Sequence, residues 1–113
     1  MWQKAKELSL AVYQMTGKGS FAKDFGLRDQ IQRAAVSVMS NIAEGFERYS
    51  RQEFKQFLSV ARGSVAEVPS QLHLARELGY ISDDEFSALH TLCLEIGRAM
   101  GALRASIARE NAS

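Results

Sequence analysis

Arg28, Arg33, Arg48, Arg51, Lys55 and Arg62 are side chains of the kinds that hold phosphate, and Lys4, Lys6, Lys18 and Lys23 precede them. A guanidinium fork takes two phosphate oxygens at once, and an ammonium acts on the same anion as a point charge. Residues 1–62 hold ten Lys/Arg against six Asp/Glu, whereas residues 63–113 hold four against seven. The overall charge of +1 predicts no polyanion partner by itself. A basic half repeated around a symmetric oligomer would nevertheless build a strongly positive surface. The same asymmetry would let neighbouring subunits attract, and several of these bases alternate with acids as on an ordinary solvated face. The six are assigned to phosphate contact or subunit pairing, with the two roles undivided.

Other reactive side chains make no catalytic constellation. Glu44, Glu47 and Glu53 are close enough in sequence to suggest paired carboxylates, but Glu53 is committed to a helix cap and Glu47 to solvent. Asn41, Glu44, Arg62 and Glu67 read as a structural polar network, since such clusters more often fix register than perform chemistry. His73 and His90 could share a flank near Glu77, yet a structural zinc wants four ligands. Cys93 falls on an apolar stripe, where a thiol behaves as a small hydrophobe. No phosphate-binding glycine loop is present. The sequence therefore predicts no enzyme, no metal and no cofactor.

The elements that must position these residues are helices. Met1, Ala5, Leu8, Val12 and Met15 make one stripe of a helix over 2–16, which Gly17 and Gly19 end. Phe21 and Phe25 lie in a following loop, available to pack back, and Gly26 closes it. A second helix over 27–48 buries Leu27, Ile31, Ala34, Val38, Ala43 and Phe46, with Gly45 as a close-packing position. Ser50 and Glu53 form a capping box opening a third helix over 51–78. Its stripe is Phe54, Leu58, Ala61, Val65, Val68, Leu72 and Ala75, and Pro69 predicts a kink. Gly79 is its left-handed cap. Ser82 and Glu85 open a fourth helix over 83–109 carrying Phe86, Leu89, Cys93, Ile96, Met100, Leu103 and Ile107, with a frayed tail. Gly97 and Gly101 suggest close helix packing.

If the last two helices form a hairpin about residue 80, facing residues have numbers summing to nearly 161. Leu72 then faces Leu89, Val68 Cys93, Val65 Ile96, Ala61 Met100, and Leu58 Leu103, all apolar. The same reasoning about Tyr49-Ser50 uses sums near 99. It puts Arg33 opposite Glu67, predicting a contact, and Ser37 opposite Arg62. The chain reads as one all-α domain over 1–113, an antiparallel up-down-up-down four-helix bundle.

Composition agrees: 46% hydrophobic and 24% charged residues are ordinary for a soluble globular chain, and one Pro with no alternating β-branched runs argues against a sheet. A lone Cys, an amphipathic rather than signal-like N-terminus and no apolar run near the ~20 residues of a membrane span predict a cytoplasmic protein without membrane association.

Gln30-Ile31, Arg33 to Val38, Asn41-Ile42-Ala43-Glu44-Gly45, Phe57-Leu58, Ala61-Arg62-Gly63-Ser64, Glu67 and Gly79-Tyr80-Ile81 carry a family resemblance, as does the opening Trp2 to Thr16. The chain resembles the four-helix-bundle proteins encoded in intervening sequences of bacterial 23S ribosomal RNA genes. These are related to the accessory variability protein of diversity-generating retroelements. The resemblance implies a homopentameric ring, and for the retroelement relatives nucleic-acid association and binding of a reverse transcriptase; it implies no established activity. Members often have Pro where Met39 stands here, implying a straighter second helix, and an acid where Pro69 stands. The reading is a non-enzymatic homo-oligomer that binds structured RNA or DNA. The alternatives are a protein-binding scaffold without nucleic-acid affinity and, behind it, a metal-dependent enzyme.

Overall fold

The computed structural model describes residues 1–112, and the side chains of residues 1–110. It contains α1 (Trp2–Thr16), a 3-10 turn at Phe21–Lys23, α2 (Phe25–Phe46), α3 (Arg51–Glu77) and α4 (Asp83–Ala112). No strand occurs among the described residues. Each helix packs on its chain neighbour and α1 packs on α4, which closes a four-helix bundle.

Named pairs give the directions. The Ser9 hydroxyl donates to Ala35 O at 3.1 Å and Gln32 Nε2 to Thr16 Oγ1 at 2.9 Å, so α1 and α2 are antiparallel. Ser64 meets Ser37 at 2.8 Å and Phe54 meets Phe46 with ring centroids 5.2 Å apart, so α2 and α3 are too. Arg51 pairs with Glu110 at one end of α3 and α4, and His73 lies against Phe86 near the other.

Local chemistry sets the boundaries. The Ser50 hydroxyl accepts the Glu53 amide at 3.0 Å. At α4, Ser82 Oγ accepts the Glu85 amide while Glu85 Oε1 accepts the Ser82 amide, at 3.1 and 3.0 Å. Gly79 has φ +76°; its amide donates to Arg76 O and the Tyr80 amide donates to Ala75 O, a Schellman closure of α3. Glycine fits there because a Cβ disfavours this backbone region. Pro69 leaves α3 continuous from Arg51 to Glu77.

The core is one cluster. All the apolar residues of the α1, α3 and α4 stripes belong to it or pack against it, except Ile107, which is buried apart from it. The five apolar layers between α3 and α4 are therefore all inside or against the core. Phe21 is fully buried, its ring 5.1 Å from that of Tyr80.

Several sequence expectations are corrected. Asp24 caps α2 by accepting the Leu27 amide, so α2 starts at Phe25 and Gly26 lies in its first turn rather than closing a loop. The helix stops at Phe46, not Arg48. Phe25 and Phe46 are exposed: Phe25 lies beneath Arg28, and Phe46 sits edge-on to Phe54 outside the core. A Cβ on Gly97 or Gly101 would meet nothing within 4 Å, so neither marks a close helix contact within the bundle. The tail after Arg109 is helical to Ala112, while Ser113 lies outside the described residues.

Helix lengths differ enough to shape the surface. At 1.5 Å per residue, α1 spans about 22 Å and α4 about 45 Å. Lys4 reaches Glu95 at 2.7 Å, and Met15 and Lys18 border the same hollow as Glu85 and Leu89. Thus α1 covers the first half of α4. The last turns of α4 extend past the start of α1.

Candidate nucleic-acid interface

The six basic residues separate once ion pairs form. Arg28 pairs with Asp29 at 3.1 Å, donates to Ala22 O at 3.0 Å and lies 4.7 Å over the Phe25 ring. Arg48 pairs with Glu44 at 2.8 Å and sits 4.8 Å over Phe57, at the opposite end of α2. Arg51 reaches across to Glu110 at 3.2 Å. Arg33 donates to Asp29 O at 3.4 Å, one turn back on its own helix. These four do not form one basic face.

Lys55 and Arg62 do converge. They stand seven residues apart on α3, two turns and about 10 Å along its axis, and both line a groove between α3 and α4. Arg104 enters the same groove from α4. The groove has a volume of about 500 Å³, Gln52, Gln56 and Ser59 among its walls, Leu58 and Ala108 as apolar lining, and no carboxylate. Among the described residues no Asp or Glu forms an ion pair with Lys55, Arg62 or Arg104. Three unneutralised cations with amide and hydroxyl donors between them suit an anion with several oxygens. The sequence does not single out Arg104, because it flanks the apolar stripe of α4 with no other base within a turn of it. It lies one residue from Leu103, and the hairpin register sets it opposite residue 57, between Lys55 and Arg62.

The four-residue polar network is not formed as a unit. Asn41 Nδ2 donates to Ser37 O and Ser37 Oγ at 2.8 and 3.1 Å, and Ser64 Oγ donates to the same hydroxyl at 2.8 Å. Ser37, not Glu44, Arg62 or Glu67, is the partner of Asn41, and Ser64 joins this α2–α3 contact through the Ser37 hydroxyl. Ser37 meets Ser64 rather than Arg62 because the pairing of α2 with α3 is offset by about two residues, which turns Arg62 outward. Glu44 is committed to Arg48. Arg33 and Glu67 flank a second groove of about 430 Å³ between α2 and α3, with no ion pair joining them.

The remaining reactive groups are structural in their surroundings. His73 and His90 lie on one flank, as the register implied, with ring centroids 6.1 Å apart. Phe86 packs against both, and the Arg76 guanidinium sits 3.9 Å over its ring. Among the described residues no three His, Cys, Asp or Glu side chains are grouped to hold a metal. Burial pushes the Cys93 thiol up to about 12, which keeps it protonated at neutral pH. No helix among the described residues is long and apolar enough to cross a membrane.

A family model described as 23S rRNA-intervening sequence protein matches residues 1–102. Among solved structures, the chain is similar to a Bacteroides thetaiotaomicron VPI-5482 protein described as having unknown function and coming from the S23 ribosomal protein family. The TM-score is 0.82 at 23% identity, over 90% of this chain and 95% of that one, which establishes a shared fold. No curated protein matches the sequence.

Proposed function

The chain belongs to the 23S rRNA-intervening sequence protein family, and from that premise we propose that it is a non-enzymatic bundle that binds the phosphate backbone of structured RNA or DNA, in the cytoplasm and as a homo-oligomer. The observation that carries this reading is the convergence of Lys55, Arg62 and Arg104, without a carboxylate, on one groove. Of the six residues assigned to phosphate contact or subunit pairing, this reading gives phosphate contact to Lys55 and Arg62. Arg28, Arg48 and Arg51 are already neutralised by acids, and Arg33 faces a groove that Glu67 shares.

The test is binding of a ribosomal RNA hairpin and a DNA duplex across a salt series, with wild type and Lys55→Gln/Arg62→Gln/Arg104→Gln. Each phosphate neutralised contributes about −0.9 to the slope of log K against log salt on duplex. The triple variant should flatten that slope by up to about 2.7 per chain. Absence of binding at low salt would defeat the reading.

A second reading, a protein-binding scaffold, has its own observation. Trp2, Leu10, Tyr13, Val36 and Met39 line an almost wholly apolar groove of about 470 Å³ between α1 and α2. Such a face suits a protein surface, either another subunit or a different chain. Light scattering of wild type and Leu10→Glu/Tyr13→Glu would register self-association through it.

A further inference from the structure

Of the exposed aromatic residues, one is left unexplained by the fold. Trp2 lies beneath the Lys6 ammonium, Phe25 beneath Arg28, and Phe46 edge-on to Phe54, while Tyr13 lines the apolar groove of α1 and α2. Tyr49, in the turn between α2 and α3, has a relative exposure of 106%, and no ring, cation or hydrogen-bond partner is formed by it among the described residues. The turn itself does not call for an aromatic there, because its cap is made by Ser50.

We infer that Tyr49 is a base-stacking platform at the mouth of the cationic groove, so that the ligand is nucleic acid with unpaired nucleotides rather than uninterrupted duplex. The inference rests on the phosphate-binding reading of that groove. Tyr49 is three residues from Gln52, the first residue of the groove wall, so their Cα atoms are within about 11 Å. A single strand that lays its backbone along Lys55, Arg62 and Arg104 and leaves the groove at its Gln52 end comes within a side chain's reach of this turn. The groove has no aromatic of its own, so its walls supply charge and hydrogen bonds but no stacking surface.

The division of labour follows from chemistry. Backbone phosphates are held by point charges and guanidinium forks, and an unstacked base is held by a π face, which every base can use. Bases become available for this in loops, bulges and ends, where they are splayed from the helix, whereas a continuous duplex keeps them stacked on one another. The phenol hydroxyl keeps the outer edge of the platform wet. Stacking of this kind is tolerant of sequence, so the site reads the unpaired state of a nucleotide more than its identity.

The experiment uses the whole chain and two labelled probes, a twelve-nucleotide oligouridine and a blunt twelve-base-pair RNA duplex. Affinities are measured for wild type, Tyr49→Ala, Tyr49→Phe and the triple groove variant. Removing one stacked base should weaken oligouridine binding about tenfold, leave duplex binding unchanged in Tyr49→Ala, and leave Tyr49→Phe close to wild type. If Tyr49→Ala binds oligouridine as wild type does while the groove variant loses it, the platform is refuted and the phosphate reading stands. If the groove variant binds both probes as wild type does, or wild type binds neither, the phosphate reading falls and takes the platform with it. Tyr49 makes no contact whose loss would unfold the bundle, so circular dichroism of the Ala variant should match wild type.

Discussion

The Tyr80 hydroxyl donates to Asp24 Oδ2 at 2.9 Å, and Oδ1 of the same carboxylate accepts the Leu27 amide at 3.2 Å. One side chain thus caps α2 and ties the start of that helix to the turn between α3 and α4. The bond to a carboxylate, with smaller effects of desolvation and charge, raises the Tyr80 phenol above its usual value.

Asp24→Ala should remove the cap and the tie together. Loss of an N-cap alone costs about 0.5–2 kcal/mol. Asp24→Asn keeps an acceptor for Leu27 and should recover much of the loss, and Tyr80→Phe should cost less than Asp24→Ala. Urea midpoints of the two single variants and the double variant provide the check. Additive effects of Asp24→Ala and Tyr80→Phe would show that the tie carries no energy.

Gly45 is a packing glycine, whereas Gly63, Gly97 and Gly101 are not. A Cβ at Gly45 would lie 3.4 Å from Phe57 Cβ and 3.6 Å from the Phe54 ring, an ordinary contact distance. Gly45→Ala should therefore be tolerated, and Gly45→Leu should lose about 1–3 kcal/mol through overpacking. At Gly63 and Gly97 a Cβ meets open space, so Ala should add up to about 1 kcal/mol of helix propensity. Thermal midpoints of the four variants distinguish these cases.

Cys93 should respond to alkali in a defined direction. Its ordinary value is 9.0 and burial raises it to about 12 in the folded chain. The unfolded thiol therefore gives up its proton first as pH rises. The associated stability is whole below pH 9 and is lost as pH climbs from there through about 12. At pH 8.5, alkylation by iodoacetamide should be slow in the native chain and fast in urea, while Cys93→Ala should flatten the alkaline loss. Equal alkylation rates with and without urea would contradict the buried, protonated thiol.

Glu110→Gln should strengthen phosphate binding through the α3–α4 groove. Its carboxylate engages Arg51 at 3.2 Å, four residues before Lys55. Without that negative charge, Arg51 gains a reason to seek a phosphate, and the salt slope should steepen by up to about 0.9. An unchanged slope and affinity would place Arg51 outside the interface. The pair is exposed on both sides, so the effect on stability should be small.

The bundle was legible because its helices are locally consistent. Apolar stripes at helical spacing, the caps at Ser50 and Ser82 and the glycine at 79 point to the same architecture. Errors arose where tertiary contacts outweigh pattern. Phe46 fits the α2 stripe, yet the helix ends there and Phe54 meets it on the outside. Asp24 is a poorly visible cap in the sequence because Gly26, two residues on, suggests a later boundary. The hairpin register places residue 51 opposite residue 110, the observed ion pair, although the apolar stripe suggests an end at Arg109, three residues before the helix stops.

The candidate site was half legible for a similar reason. Charge and residue type put Lys55 and Arg62 among six candidate cations, but spacing within one helix cannot say which cations an acid on another helix will neutralise. Nor did composition single out Ser37 and Ser64, whose hydroxyl contact depends on the offset between α2 and α3. Arg104 joins the groove only when α3 and α4 are set side by side.

The short reach of α1 has a dynamic consequence. The last turns of α4, past the start of α1, lack one of the two helical neighbours that flank its first half. Their amide protons should be exposed by local opening at a lower free energy than those beside α1, without the bundle coming apart. Since Arg104 and Ala108 lie on that less anchored stretch, an anion bridging α3 and α4 would slow the opening. Occupancy would then be recorded as hydrogen-exchange protection far from the central core.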